Sequence, residues 1–434
     1  MHDNGGKRER EDADGAPEKR ARGETLSAGQ RRAIEIAAAG KSLALLGPAG
    51  TGKSLTVRHI RDALVAKHAA GRVAVTASTG AAAFLVGGRT LHSFAGTGAG
   101  EEPQFGIMYS KATRREDAVK RWADTDVLIV DEISMVNAAF WDLLSRIAQR
   151  NRGNRRPFGG MQVIVVGDFY QLAPVRGAHA FAAECWDRLF GASTVVLTEV
   201  FRQRDPVFVA ALHALRTNAL SDEQRALLAA CDSDDGAAVR LFVRNKDADA
   251  HNAARLAALA GPPSVYVARD VVDDSVKVEF PVEPRIELRV GARVMLRANV
   301  HVDAGLVNGA CGVVVQLGAR DALVEFDCGE RARVEPYAFK IDVAEPGGRT
   351  RTAQRTQVPL ILAWAISVHK AQGTTLAAVR AELAGAWADG QVYVALSRAA
   401  TREGLCVRGL DRAAIKASAE VRRFYEAAAA WETE

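Results

Sequence analysis

The chain is 434 residues long, enough for two or three domains, and its 48% hydrophobic and 25% charged side chains are those of an ordinary globular protein. No uninterrupted apolar stretch nears the roughly 20 residues of a membrane span, no secretory apolar core follows the N-terminus, and the five cysteines lack zinc or disulfide spacing, so an intracellular chain with reduced thiols is expected. The net charge of +5 favours an anionic partner only mildly, because 57 basic residues face 52 acidic ones.

Residues 1–24 have almost no apolar side chain but alanine and no periodicity, and are expected to form a disordered charged tail. Their basic clusters, Lys7–Arg8 and Lys19 to Arg22, read either as a nuclear address or as part of a solvated, charge-mixed tail. From Leu26 the pattern tightens. Ser27 suits a helix N-cap, Gly40 follows the helix, and Ile34 and Ile36 lie on its buried side.

A short apolar strand, Leu43 to Leu46, then runs into GPAGTGKS and a helix from Lys53. Strand, glycine-rich turn and helix in that order make a phosphate loop, comprising Gly47, Pro48, Ala49, Gly50, Thr51, Gly52, Lys53 and Ser54. Its glycines let backbone amides curl around a phosphate, and the helix N-terminus adds its dipole. Lys53 can reach the β- and γ-phosphates, and Ser54 can ligate Mg²⁺.

The next strand, Arg72 to Ala77, ends in a run of small hydroxyls and amides that includes Thr79 and Gly80. Such groups suit an oxygen-rich backbone. His92 and Phe94 follow, and either could face a base or a phosphate; His92 read alone is equally a capping or core histidine. In DVLIVDEIS the buried strand Val127 to Val130 delivers Asp131 and Glu132 to its C-terminal edge. Asp131 would hold Mg²⁺, and Glu132 would orient or deprotonate the attacking water. A third strand, MQVIVVGDFYQLAPV, ends in Gly167, Asp168 and Gln171, where the glutamine can sense a γ-phosphate. Three such strand ends describe an ATP or GTP hydrolase.

Arg202 and Gln203 follow another buried strand, Thr194 to Leu197, and Arg398 lies in VYVALSRA near the C-terminus. Isolated arginines are usually surface residues, but beside a nucleotide site these two read as arginine fingers supplied in cis. From about Ser264, valines alternate with charged residues and glycines, a pattern of short strands and turns that suggests a small β-barrel. Pro359 to Ile366 reads as a buried parallel strand that empties into SVHKAQGTT. A core strand has no structural use for so many donors, and ligands of open α/β sheets bind at that end.

Taken together, GPAGTGKS, TASTGAAA, GGRTLHSFAG, VDEISMV, GDFYQLAPV, LTEVFRQ, SVHKAQGTTL and VYVALSRA resemble the PIF (petite integration frequency) family of superfamily 1 DNA helicases, over roughly Leu26 to Phe424. The resemblance implies an α/β fold of two RecA-like (P-loop NTPase) parallel-sheet lobes, with a small SH3-like β-barrel inserted in the second. The expected boundaries are 25–196 for the first lobe, with a short wedge-like insertion at 96–122; 197–263 and 352–434 for the second; and 264–351 for the barrel. It further implies ATP and Mg²⁺ in the cleft and 5′-to-3′ movement on single-stranded DNA, with duplex junctions and G-quadruplexes as further DNA substrates. Ser367, His369 and Lys370 would face the DNA backbone, Gly373 would lie near the nucleotide and lobe interface, and Gln30 would select adenine. Without the family, Gln30 is an exposed helix residue. The chain would be close to a minimal helicase core. An RNA helicase, a nucleic-acid-stimulated ATPase without unwinding, and a silent DNA-binding protein are the competing expectations. Intact Lys53, Asp131, Glu132 and Gln171 argue against silence.

Overall fold

The structure, a computed structural model, describes residues 26–68, 70–79, 82–83, 86–97, 104–233, 238–271, 280–301, 304, 306, 308–344 and 350–431. The expected tail and Gly80 lie outside them. Among the described residues no helix is long and apolar enough to cross a membrane. All five cysteines are free thiols; Cys328 is exposed and the others are buried.

The first lobe is a parallel sheet of β1 (Leu43–Leu46), β2 (Val73–Ala77), β3 (Arg89–Thr90), β4 (Val127–Asp131), β5 (Gln162–Gly167) and β6 (Thr194–Val196). Their spatial order is 3-2-4-5-1-6. The near-continuous apolar runs of β1, β4 and β5 suit a sheet covered on both faces. On one face Leu43, Leu45, Ile129 and Ile164 pack against Ala33, Ala37, Ile60 and Leu64 of the helices Ala28–Ala38 and Lys53–His68. On the other, Leu46, Val130 and Val165 pack with Phe140, Trp141 and Leu144 of the helix Ala138–Arg152. All parallel strands point the same way, so their C-terminal ends gather at one edge, and there the candidate residues lie.

Among the described residues ten strands separate the first strand of the second sheet from the rest of it. β7 (Val239–Phe242) opens the second lobe. Then come β8 (Ser264–Val267), β9 (Arg269–Val271), β10 (Arg285–Leu288), β11 (Arg293–Leu296), β12 (Cys311–Leu317), β13 (Ala322–Phe326), β14 (Arg331–Val334), β15 (Tyr337–Ala344), β16 (Thr350–Gln357) and β17 (Leu360–Leu362). They form small antiparallel sheets, ordered 14-13-12-11-17, 15-16-9 and 10-8, around a shared core that includes Leu288, Val294, Val314, Val324 and Phe339. β18 (Ala365–Ser367), β19 (Val379–Glu382) and β20 (Leu405–Arg408) return to β7 in the parallel order 18-7-19-20.

Two expectations need correction. The apolar run Pro359 to Ile366 is not one strand: β17 pairs antiparallel with β11 in the inserted unit, whereas β18 pairs parallel with β7. A uniformly apolar segment satisfies either sheet, so composition hides the break. The last helix, Ala419–Trp431, was expected with the second lobe, but its Val421, Phe424 and Tyr425 pack into the first lobe's core.

Candidate functional site

The phosphate loop leaves β1 with its backbone pinned on both sides: Gly47 N donates to Gly167 O at 3.2 Å and Leu197 N to Leu46 O at 2.8 Å. Gly50 and Gly52 adopt φ of 84° and 77°. A Cβ on Gly52 would sit 2.4 Å from Gln30 Nε2, and one on Gly50 2.8 Å from Arg202 Cβ. Glycine is therefore required by conformation and by space. Lys53 Nζ donates to the loop's own carbonyls, Gly47 O at 2.7 Å and Pro48 O at 2.8 Å. Burial lowers its pKa, opposed by the negative charges of Asp168, Glu132 and Asp131. Ser54 is exposed at the start of the 16-residue helix Lys53–His68.

Beside the loop, Asp131 ends β4 and Glu132 follows in a left-handed conformation, φ 52°. A non-glycine residue held there stores backbone strain of the kind found at functional sites. Glu132 N donates to Asp131 Oδ1 at 2.8 Å. Burial, and then the adjacent Glu132 charge, push the Asp131 carboxyl up. Gln171 is buried and its Oε1 has no hydrogen-bond partner. Two crowded carboxylates, the Ser54 hydroxyl and an orphaned amide oxygen fit a phosphate-bound divalent cation.

The second lobe supplies the positive side. Arg398 is 1% exposed, and donates from Nε to Val394 O (3.0 Å), from Nη1 to Thr374 O (3.2 Å) and from Nη2 to Ser397 Oγ (2.9 Å). Arg202 Nη1 donates to Ser397 O at 3.0 Å, and Gln203 Nε2 to Ala399 O at 2.8 Å. Burial, then repulsion from Arg398, lowers the Arg202 pKa to about 10. Among the described residues neither arginine has a carboxylate partner within salt-bridge distance, and burial takes Arg398 out of the surface-residue reading. A buried Arg398 and a half-buried Arg202, facing no fixed anion among the described residues, call for an anionic ligand.

Three cross-lobe contacts were not anticipated. Ala49 N, in the phosphate loop, donates to Tyr393 Oη of the second lobe at 2.9 Å. Gln372 Nε2 donates to Glu132 Oε2 at 2.9 Å. Asp168, fully buried, is gripped by Arg216 through Nε (3.1 and 3.0 Å) and Nη2 (2.7 Å). The Arg216 guanidinium lies 4.4 Å from the Tyr170 ring centroid and 4.8 Å from that of Tyr425, whose hydroxyl also reaches Asp168 at 3.2 Å. The residue types alone carried no signal for these pairs. The lone Tyr in VYVALSRA, amphipathic inside an apolar helix, was the nearest to one.

The other expected residues divide. His369 and Lys370 are exposed just past β18, and Gly373 is exposed with φ 79°. Ser367 is buried and its Oγ accepts from Lys370 N at 3.4 Å; it caps the turn that presents its neighbours instead of facing a ligand. Phe94 is buried edge-on against Trp122, centroids 4.8 Å apart; it is a core residue and has no face left for a base. His92 stacks on Phe140 at 4.3 Å, and burial lowers its pKa to about 4, so it is neutral. Thr79 Oγ1 accepts from Ala82 N at 3.2 Å. Gln30 is buried, not exposed. Its Oε1 accepts from Ser27 N at 2.8 Å and its Nε2 donates to Thr51 O at 3.2 Å, which leaves one amide hydrogen and one oxygen lone pair for an adenine.

Residues 25–205 match the family described as PIF1-like helicase, and residues 272–317 match the 2B domain of DNA helicase Pif1. The ATP-dependent DNA helicase PIF1 of Danio rerio is 39% identical over 419 residues, covering 92% of this chain and 64% of that protein. The chain thus spans a little under two thirds of that relative's length. The ATP-dependent DNA helicase Pif1 of Bdellovibrio bacteriovorus is 33% identical over 412 residues, covering 92% of each chain. The crystal structure of Pif1 helicase from Candida albicans is similar at TM-score 0.80 and 35% identity, covering 93% of this chain and 99% of that one.

Proposed function

The chain belongs to the PIF1-like helicase family, and from that membership we propose that it is an ATP-dependent DNA helicase, moving 5′ to 3′ on single-stranded DNA and unwinding duplex junctions in genome maintenance. The observation that carries the reading is the charge layout of the cleft. Lys53, Asp131 and Glu132 line the first lobe, and buried Arg398 and half-buried Arg202, neither with a carboxylate partner among the described residues, supply positive charge beside them.

In this reading Lys53 leaves the Gly47 and Pro48 carbonyls for the β- and γ-phosphates of ATP, which the loop amides of Gly50, Thr51 and Gly52 also hold. Ser54 and Asp131 hold Mg²⁺, which when bound neutralises charge between the phosphates. Glu132 orients the attacking water, and Gln171 uses its unpartnered amide at the γ-phosphate. Arg202 and Arg398 stabilise charge on the transferring phosphoryl group. His369 and Lys370 hold the DNA backbone, with Thr79 at the matching edge of the first lobe. Gln372 relays DNA occupancy to Glu132. Residues 25–196 act as the first lobe, 197–263 and 352–434 as the second and 264–351 as an inserted clamp, except that β16 and β17 carry the clamp on to Leu362, with the helix Ala419–Trp431 strapping the lobes together. A DNA substrate implies work inside a cell, and Lys7–Arg8 with Lys19 to Arg22 are offered as its nuclear address.

The test compares ATP turnover without nucleic acid, with single-stranded DNA and with RNA, alongside unwinding of forks bearing a 5′ or a 3′ tail. Strong stimulation by DNA and unwinding from the 5′ tail are expected. Preference for RNA, or turnover without strand separation, would replace the reading with one of its competitors.

A further inference from the structure

The flank of the first lobe carries a groove of about 550 Å³ that the cleft chemistry leaves unused. Phe105 and Tyr109 of the helix Phe105–Arg114 form one wall; Leu143, Arg146 and Arg150 of the helix Ala138–Arg152 form the other, and Arg155 closes it. The helix Ala138–Arg152 starts at the ligand edge of the sheet, just after Asp131 and Glu132. At 1.5 Å per residue, Arg150 lies roughly 18 Å further along it. The groove is therefore separate from the nucleotide cleft.

Its chemistry is one-sided. The stretch from Arg146 to Pro157 holds five arginines and no acidic residue. Arg152 has a structural task, donating to Trp122 O at 2.9 Å and Gly159 O at 3.1 Å. Arg146, Arg150 and Arg155 have none: they are exposed, and no carboxylate of the described residues lies within salt-bridge distance of them. Among the described residues no acid lines the groove. Guanidiniums beside two half-buried aromatic faces match an unstacked base with its phosphates better than a paired duplex, whose bases present no free face.

We propose that this groove is a second subsite for single-stranded nucleic acid, with Arg146, Arg150 and Arg155 on phosphates and Phe105 and Tyr109 as stacking faces. The inference rests on the DNA-helicase reading, and the test separates the two. Full-length chain is titrated with fluorescein-labelled dT8 and dT30 across a salt series, as wild type, as Arg146→Ala/Arg150→Ala/Arg155→Ala, as Tyr109→Ala and as His369→Ala/Lys370→Ala. Thermal melting checks that each variant folds. At roughly 0.7 in log–log slope per lost charge, the triple variant should flatten the salt dependence of dT30 binding by about 2 and leave dT8 unaffected. Tyr109→Ala should weaken dT30 binding about tenfold, within the range for one stacked base. Cross-linking of dT30 carrying 5-iododeoxyuridine should reach Tyr109. An unchanged dT30 slope in the triple variant, with a flattened one in His369→Ala/Lys370→Ala, overturns the subsite and keeps the helicase reading. Absence of dT8 and dT30 binding by the wild type overturns both. Displacement of dT30 from the groove by AMP or by polyglutamate at matched charge would assign it to a mononucleotide or an acidic peptide, and so overturn the proposal.

Discussion

The Gln372 amide donates to Glu132 Oε2 across 2.9 Å, joining the polar strand end of the second lobe to the carboxylate beside the phosphate loop. Gln372 lies two residues after Lys370, so a strand held at His369 and Lys370 is coupled to water activation through one hydrogen bond. A hydrogen bond to a charged group contributes about 1.5–3 kcal/mol. Gln372→Ala should therefore lower DNA-stimulated ATP turnover roughly tenfold or more, with a far smaller effect on DNA affinity. Parallel turnover and anisotropy measurements decide it; equal losses in both would make Gln372 a simple DNA contact.

Lys53→Ala should abolish DNA-stimulated hydrolysis while leaving the fold intact, because no other ammonium is fixed in the loop. Glu132→Gln should bind ATP normally and hydrolyse it slowly. Binding of a fluorescent ATP analogue separates the two variants, and a comparable loss of binding in Glu132→Gln would refute the division of roles.

Arg398 is buried and has no carboxylate partner among the described residues, which suits a group reserved for transition-state charge. Arg398→Ala should reduce turnover by a factor on the order of 10³. A loss under about fivefold, measured at saturating ATP and DNA, would reduce Arg398 to a structural donor for Val394, Thr374 and Ser397.

Replacing His369 and Lys370 with alanine should weaken single-stranded DNA binding about equally for different base sequences, since phosphate contacts carry no sequence information. The salt dependence should flatten by roughly 0.7 in log–log slope for the one lost ammonium. Partial desolvation lowers the His369 pKa from its ordinary value, so Lys370 carries most of the charge removed. An anisotropy series in salt reads both effects.

Asp168 and Arg216 form a buried pair across the lobes, and removing one partner leaves the other charge unpaired. Arg216→Met should cost on the order of 3–5 kcal/mol of stability, read by denaturant unfolding. Burial alone would raise the Asp168 pKa, but the Arg216 charge and its hydrogen bonds outweigh that and lower it. The pair's stabilisation is thus present above the ordinary aspartate value of about 3.9 and lost as pH falls below it through the depressed folded value. Between pH 5 and 3 the wild type should lose stability relative to Arg216→Met, by at most about 2.7 kcal/mol because one carboxyl takes up at most one proton over those two units.

What could be read from the sequence was whatever short-range geometry dictates. A strand, a glycine-rich turn and a helix within 26 residues make a phosphate loop wherever they occur, and the apolar runs before Asp131, Glu132 and Gln171 place those residues at one sheet edge because parallel strands share a direction. The exposed His369 and Lys370 were legible for the same reason. Contacts between distant segments were not. Tyr393 reaches Ala49 across 344 positions and Gln372 reaches Glu132 across 240, so each pair exists only because two separately folded sheets meet edge to edge. Phe94 and Ser367 looked like ligand groups since their types permit it; Trp122 packing against the one and the short helix capped by the other decided otherwise. The split of Pro359 to Ile366 between two sheets, and the docking of Phe424 and Tyr425 on the first lobe, are likewise tertiary outcomes: an apolar residue specifies burial, while the fold specifies against what.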